Sequence, residues 1–497
     1  MKIKHFALVF LAALWFLLVD QAVASFSMTD PANIRADVER LLHRQYAELN
    51  AFTLEAMGLN EARTPVQPWT GSYWPDSLGG IANRYNNRTF PTVGSWIELI
   101  TPYESNHKDW REAHGKIASN WRAMYNHELA QKLSPSEKYD LAMGDVSFAL
   151  TRKIYQEIDY RYEYKQNRES GLWKRNPGLA SWSGICDGWT TAALHLPRPV
   201  KKVEVLSPLG KVITFYPDDL KALASQLFAR TNRWLNIERV GNRCRDRRPK
   251  MDYSGRPIKD ECRDIDAGLW HTTVINRIGI DQRGFVIDVD NKTSVNNHPV
   301  YGYQVSYFNP LTGAWGPLEN SVVALAGVKD GKQALRHPRA TKLVGVGMNL
   351  DVLDYNWPTG KPTDSPADDS QKRRIYYAYD LEMDDQGEIL GGQFRSGNEH
   401  AETQPDMIWM LPKYQLAWSR SSMRADEGPT IDRNQIEIWG NIAWKYNARR
   451  GVVPKDWFDA HLQSAEFHYP SAEPWSMIDS AAPLAEMVYY LFDQARI

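Results

Sequence analysis

The sulfur chemistry of this chain rests on three cysteines, Cys186, Cys244 and Cys262. An odd number leaves one outside any pairing. Cys244 and Cys262 lie in polar, charged surroundings, Asn-Arg-Cys-Arg-Asp and Asp-Glu-Cys-Arg-Asp, which suit a surface loop closed by a disulfide. Such a bridge stabilises a fold by about 3 kcal/mol, mainly by restricting the unfolded chain. Cys186 has a different context, Trp182-Ser183-Gly184-Ile185-Cys186-Asp187-Gly188-Trp189. Gly184 permits a tight approach, and Thr190 to Leu196 reads as a helix stopped by Pro197. A sulfur at a helix start meets free N–H groups and the positive end of the dipole, which favour the thiolate. Gly188 puts no side chain over that sulfur. A thiolate so placed is a nucleophile once a base stands beside it.

The base expected from the sequence is His271, in the segment Asp266-Ala267-Gly268-Leu269-Trp270-His271-Thr272-Thr273-Val274-Ile275-Asn276. This reads as a strand with the histidine near its start. The next strand is Gly284-Phe285-Val286-Ile287-Asp288-Val289-Asp290, and a hairpin centred near residue 280 would set His271 opposite Asp288 or Asp290. The two acids share one face, because strand side chains alternate. Either would accept the imidazole N–H and fix its tautomer. Trp182, Trp173, Trp189 and Trp270 are candidates for an oxyanion donor or for walls of a substrate groove. No cofactor and no metal site are expected; calcium stays open without a ligand motif to support it, because the acidic turn Asp384-Asp385-Gln386-Gly387 lacks the ligand spacing of a calcium loop.

These residues need elements to hold them. Asp30-Pro31 opens a helix whose apolar positions Ile34, Val38, Leu41, Leu42, Tyr46 and Leu49 recur at helical spacing. Residues 65 to 110 read as irregular, with an aromatic loop Pro68-Trp69-Thr70-Gly71-Ser72-Tyr73-Trp74-Pro75. Ser134-Pro135-Ser136-Glu137 is a capping box, expected to open a helix running to about Glu157. Leu220, Leu223, Ala224, Leu227 and Phe228 mark another helix, and Leu269 to Phe308 reads as short strands. Trp357 to Ser370 reads as a linker or long loop, and Ile375 to Phe394 as a hairpin. The last helix carries Leu484, Met487, Val488, Leu491 and Phe492 on one face.

The first residues look like an export signal. A basic start, Met1-Lys2-Ile3-Lys4, precedes an apolar run from Phe6 to Val19, and Ala22-Val23-Ala24 offers small residues for cleavage. Cleavage leaves a mature chain from about Ser25, with no membrane association, in a secreted or periplasmic setting. Over 497 residues, 59 Lys+Arg balance 60 Asp+Glu, which gives no cationic excess for a nucleic-acid partner. Hydrophobic types at 43% and charged types at 24% fit a globular chain. The oligomeric state is not legible.

A cysteine on a helix start, a histidine on a strand and an acid on the next strand is the papain-like and transglutaminase order. The residues reach further than the order. Ser183 to Ala193 with Pro197-Arg198-Pro199 resembles the nucleophile segment of the secreted transglutaminase elicitor family. Asp266 to His271 and Phe285 to Asp288 resemble its histidine and acid segments, and Tyr73-Trp74-Pro75 and Asp385 to Gly392 are similar too. Val295 to Val305 is similar to the short surface peptide that gives the family its elicitor name, with Asn296 replacing Trp and His298 replacing Gln. The resemblance spans roughly residues 65 to 420.

It implies a triad of Cys186, His271 and Asp288, with Asp290 as the alternative acid. It also implies transfer of glutamine side chains of proteins to lysine or polyamine amines through a thioester. The expected fold is α+β, a papain-like or transglutaminase-like cysteine core. The expected division is a signal peptide at 1–24, a helical and irregular region at 25–164, the catalytic core at 165–356, a loop or linker at 357–374, and a β-hairpin region with the final helix at 375–497. A papain-like peptidase would use the same residues on a backbone amide, and an aromatic-rich wall-binding protein would not use the thiol at all.

Overall fold

Ile34, Val38, Leu41 and Leu42 recur at helical spacing and are all buried in helix α1 (Ile34–Leu42). The helix does not continue to Leu49 as expected, since Tyr46 takes a φ of 69° and is 85% exposed. The structure, a computed structural model, describes residues 34–42, 46–86, 131–155, 157–158, 182–231, 237–241, 265–289, 294–331, 333, 336–369, 371–395, 404–410 and 474–496, with isolated positions 246, 250, 258, 259 and 262. The expected signal peptide lies outside these residues.

Beyond α1, the chain forms α2 (Ala51–Ala56), β1 (Glu61–Arg63), α3 (Pro135–Met143), α4 (Cys186–His195), β2 (Val203–Leu206), β3 (Val212–Phe215) and α5 (Pro217–Thr231). Next come β4 (Glu238–Gly241), α6 (Ala267–Val274), β5 (Phe285–Asp288), β6 (Asn297–Phe308), β7 (Trp315–Gly316), α7 (Leu318–Ser321) and β8 (Val323–Ala324). The last elements are β9 (Lys342–Leu353), β10 (Lys372–Met383), β11 (Ile389–Phe394), β12 (Met407–Met410) and α8 (Pro474–Ala495). The fold is a mixture of helix and antiparallel sheet.

These elements form two units, neither of them a consecutive stretch of chain. The first takes its described residues from up to Gln67, from Arg233–Val352 and from Lys372–Lys413. It holds a ten-stranded sheet in the order β11-β10-β9-β6-β5-β12-β4, with β1 and β7 also on β6 and β8 on β9. Phe285, Ile287 and Val289 join Val344, Val346, Met348, Tyr377 and Tyr379 in one buried cluster with Leu269 and Trp270 of α6 and with the apolar face of α1. One face of the sheet is therefore covered by α1 and α6. The hairpin expected over Ile375 to Phe394 is β10 and β11, with Tyr379 opposite Phe394. Its turn is closed by Asp384 Oδ1, which accepts the N–H groups of Gln386 and Glu388 at 2.9 Å each, and by Gly387 at φ 88°.

Two expectations in this unit are corrected. Leu269 to Ile280 is helical, first α6 and then a π-helical stretch Ile275–Ile280, rather than a strand. Asp266 accepts the N–H groups of Gly268 and Leu269 at 2.8 and 3.1 Å, and this N-cap starts a helix where the β-branched run reads as a strand. The expected surface peptide, Val295 to Val305, lies largely in β6, a central strand. Asn297 to Tyr303 are buried there, with β5 on one side and β9 on the other.

The second unit takes its described residues from Pro68–Asn232, Leu353–Gln371 and Tyr414–Ile497. Here α3 opens on the expected capping box: Ser134 and Glu137 cap each other's backbone N–H groups. It ends at Gly144 (φ 86°) instead of running to Glu157, and residues 149–155 form a separate helical stretch. α5 buries Leu220, Leu223, Ala224 and Leu227, and α8 buries Leu484, Met487, Val488, Leu491 and Phe492, both as the spacing predicts. Inside the unit Lys138 pairs with Asp219 at 2.5 Å, both fully buried, and Arg84 pairs with Glu137. The described part of this segment, 357–369, is no free linker. Arg198 reaches Asp364 at 2.9 Å and Asp369, Lys221 reaches Asp364 at 3.0 Å, and Thr70 donates its hydroxyl proton to Asp369 at 2.7 Å.

Among the described residues no helix is long and apolar enough to cross a membrane.

Candidate active site

Cys186 is the first residue of α4, half-buried and not part of a disulfide. No side chain caps this helix end, because Ile185 stands at the cap. The positive end of the helix dipole therefore lies at the sulfur. The approach to the helix is fixed by the aromatic loop. Ile185 N–H donates to the Tyr73 carbonyl and Asp76 N–H to the Ser183 carbonyl, both at 2.8 Å, and the Ser183 hydroxyl donates to Asp76 at 2.6 Å. A Cβ on Gly184 would stand 2.4 Å from the Tyr73 carbonyl oxygen, so only glycine lets these strands of chain meet. Gly188 serves packing rather than access to the sulfur: a Cβ there would stand 2.0 Å from the Ser225 carbonyl oxygen on α5. Asp187 is half-exposed and its carbonyl accepts the Thr191 hydroxyl at 2.6 Å.

His271 and Asp288 belong to the first unit. His271 is fully buried in the middle of α6, and its Nδ1 stands 2.8 Å from the hydroxyl of Tyr379 on β10. The Tyr379 hydroxyl donates to Met348 Sδ at 3.9 Å, which leaves its oxygen to accept from Nδ1–H. That assignment puts the lone pair on Nε2, which is buried and has no hydrogen-bond partner among the described residues. Burial lowers the imidazole pKa to about 3, so the ring is neutral.

Asp288 does not orient this ring. Phe285, Ile287 and Val289 point into the core that α6 covers, so alternation turns Asp288 to the other face of β5. There its Oδ1 accepts the Asn296 N–H at 2.9 Å. The hairpin that would have joined His271 to an acid fails because His271 lies on a helix, and β10 supplies the partner instead. The alternative acid, Asp290, lies outside the described residues.

The tryptophan candidates separate by burial. Trp270 is wholly buried against Phe285 and Tyr377, with ring centroids at 6.1 and 5.4 Å, and is a core residue of the first unit rather than a groove wall. Trp189 is also buried, and a Cβ on Gly71 would stand 2.6 Å from its ring, so it packs inside the second unit. Trp182 is half-buried just before the nucleophile turn. Trp173 lies outside the described residues, as does Cys244, so the Cys244–Cys262 bridge stands as a proposal.

Three residues with a bearing on the chemistry were not singled out from the sequence. Tyr379 sits on a strand legible only as half of a hairpin, and nothing local ties it to His271. Tyr73 and Trp74 were visible as an aromatic loop without a role. Trp74 is buried at φ 47°, a conformation costly for a bulky residue, and its indole N–H has no partner among the described residues. Strain and an orphaned donor beside the nucleophile turn are properties of the folded chain alone.

The model of the transglutaminase elicitor family matches residues 165–420, which include Cys186, His271 and Asp288. The crystal structure of the GP42 transglutaminase from Phytophthora sojae is similar in fold. It shares 20% sequence identity and superposes with a TM-score of 0.50 over 76% of this chain and 90% of its own. No curated protein matches the chain. With more than half of its length matched and the Cys186 segment inside the match, the chain belongs to the transglutaminase elicitor family.

Proposed function

We propose that this protein is an exported transglutaminase that joins glutamine side chains of proteins to lysine or polyamine amines. The observation that carries the reading is a cysteine outside any disulfide at the start of α4, where no side chain caps the helix, in a chain of this family. Cys186 Sγ attacks the side-chain amide carbon of glutamine. Its proton passes through His271 to the departing nitrogen, the carbon–nitrogen bond breaks, and ammonia leaves a thioester. A primary amine then attacks, His271 takes its proton, and the carbon–sulfur bond breaks to return the thiol. The Nε2 of His271, which has no partner among the described residues, supports its role as base, whereas burial lowers its pKa, so the imidazolium needs a thiolate or substrate charge beside it. Tyr379 holds the ring in place of Asp288, the third group that the family resemblance implies.

The oxyanion would rest on the Cys186 N–H and one indole N–H. Trp182 and Trp173 are the donors expected from the sequence. Trp74, which lies in the loop that meets the Cys186 turn and whose buried N–H has no partner among the described residues, is the stronger choice; Trp189 shares the second property but packs inside the second unit. Trp74→Phe removes the donor and should lower turnover by roughly 10²-fold; the smaller ring leaves a cavity, so a thermal melt accompanies the assay.

The reading is tested by incubating the protein with a glutamine peptide and a fluorescent primary amine. Amine incorporation without backbone cleavage, abolished in Cys186→Ala, is expected. Cleavage of the peptide backbone would reassign the same residues to a peptidase, and neither reaction would leave a binding protein.

A further inference from the structure

The nucleophile turn carries aromatic surface that packing does not explain. Tyr73 hands its carbonyl to the Ile185 N–H, and its ring edge would lie 3.0 Å from a Cβ on Gly184. It is half-buried, and burial first, then the neighbouring Tyr355 and Cys186, raise its hydroxyl above the usual range. Two further rings extend outward from it. Tyr355 meets it edge-on at 5.0 Å and Trp357 lies tilted at 6.3 Å. These outer rings are 45% and 52% exposed.

The loop that shows them is held firmly. Asn356 N–H donates to the Gly71 carbonyl at 2.7 Å, and Thr359 N–H donates to Asp218 at 2.6 Å. Asp364 and Asp369 take Arg198 just beyond. Rigid display of large apolar rings costs hydration free energy in the unbound protein. It also lowers the ordering cost of any ligand that covers them.

We propose that Tyr73, Tyr355 and Trp357 form a subsite for an apolar or aromatic side chain of the acyl-donor peptide, beside its reactive glutamine. The inference rests on the transglutaminase reading for the identity of the peptide. The continuity of the rings with the Cys186 turn selects a peptide. A chain whose amide reaches the sulfur passes beside Tyr73, and its neighbouring residue then meets the outer rings. Flat aromatic faces suit an apolar ring or aliphatic side chain, with pairs worth up to about tenfold in affinity.

The test compares benzyloxycarbonyl-Gln-Gly with acetyl-Gln-Gly, which differ in the aromatic cap alone. Binding is measured by calorimetry on full-length Cys186→Ala, so that no turnover is needed. The aromatic cap should bind about five- to tenfold more tightly. Trp357→Ala and Tyr355→Ala should remove most of that difference and leave acetyl-Gln-Gly unchanged. Tyr355→Phe should preserve the preference. Thermal melts check that each variant folds.

Equal binding of the two caps in the parent, or a preference that survives both alanine substitutions, overturns the subsite. Binding of neither capped peptide but binding of cellohexaose, lost in Trp357→Ala, would overturn it in favour of a sugar site. The two readings fail separately. Cap discrimination without amine incorporation in the wild-type protein removes the transglutaminase and keeps the subsite, while incorporation without discrimination removes the subsite alone.

Discussion

At the scale of single residues, the chemistry turns on who holds the ring of His271. Its Nδ1 meets Tyr379, and Asp288 faces away from α6. Tyr379→Phe should therefore lower amine incorporation by about tenfold, the loss of one orienting hydrogen bond. Nitrogen NMR of the labelled ring should show the tautomer shifting from Nδ1–H in the parent. Asp288→Asn should leave the ring spectrum unchanged and cost less activity. A larger loss at Asp288 than at Tyr379 would restore the acid implied by the family resemblance. His271→Ala should cost roughly 10²- to 10⁴-fold as the loss of a general base. In the double variant with Cys186→Ala no further loss is expected, because cooperating groups are not additive. Cys186 itself was legible from its segment, since glycine before the sulfur and an alanine-rich helix after it are local signals. The His271 partner was not, because a hydrogen bond from α6 to β10 spans 108 positions of sequence.

At the scale of elements, one capping box, one hairpin turn and two amphipathic helices read correctly, while the Asp266 cap, the apolar run after it and Gly188 misled. The capping box at Ser134, the hairpin turn at Gly387 and the amphipathic faces of α5 and α8 follow local rules that the folded chain obeys. Leu269 to Ile280 defeated the period rule because α6 is buried all round, so no polar face marks its period. Ser134→Ala should cost about 1 kcal/mol of stability, the loss of an N-cap, measured by urea denaturation. Gly188→Ala should cost more, about 1–3 kcal/mol, because the new methyl group meets backbone on α5 and not a movable side chain. A Gly188→Ala variant as stable as the parent would mean that α4 and α5 are further apart. The elicitor-like peptide also acts at this scale. Because β6 is paired on both sides and buried, its amides should exchange at rates near global unfolding. An antibody raised against residues 295–307 should bind the denatured chain and fail on the native one.

At the scale of the whole molecule, the two units interleave along the chain, and this was the least legible feature. Composition and local pattern suggested consecutive domains, with a linker near residue 357. The segment that reads as linker, rich in proline and lacking aliphatic residues, is fixed by buried ion pairs to Arg198 and Lys221, contacts that no local pattern announces. Buried titratable groups give the molecule a defined response to pH. His271 has its pKa lowered to about 3 by burial, below that of an unfolded histidine. The unfolded chain then binds the extra proton, so this group favours folding above about pH 6.5 and loses that contribution as pH falls toward 3, at about 1.4 kcal/mol per pH unit. Glu382 runs the other way. Burial raises it to about 7, only partly offset by the His337 N–H and Arg336. Its contribution is full below about pH 4.5 and is lost as pH rises through 7. Glu382→Gln should therefore raise the melting temperature more at pH 8 than at pH 5.

The most direct measurement of the central claim is intact-protein mass spectrometry of the full-length chain mixed with benzyloxycarbonyl-Gln-Gly in the absence of amine, quenched in acid. The account predicts an adduct equal to the dipeptide less ammonia, on Cys186 by peptide mapping, released by hydroxylamine and absent from Cys186→Ala. An unmodified Cys186 under conditions where iodoacetamide labels it, or an adduct mapped to another residue, would contradict the account.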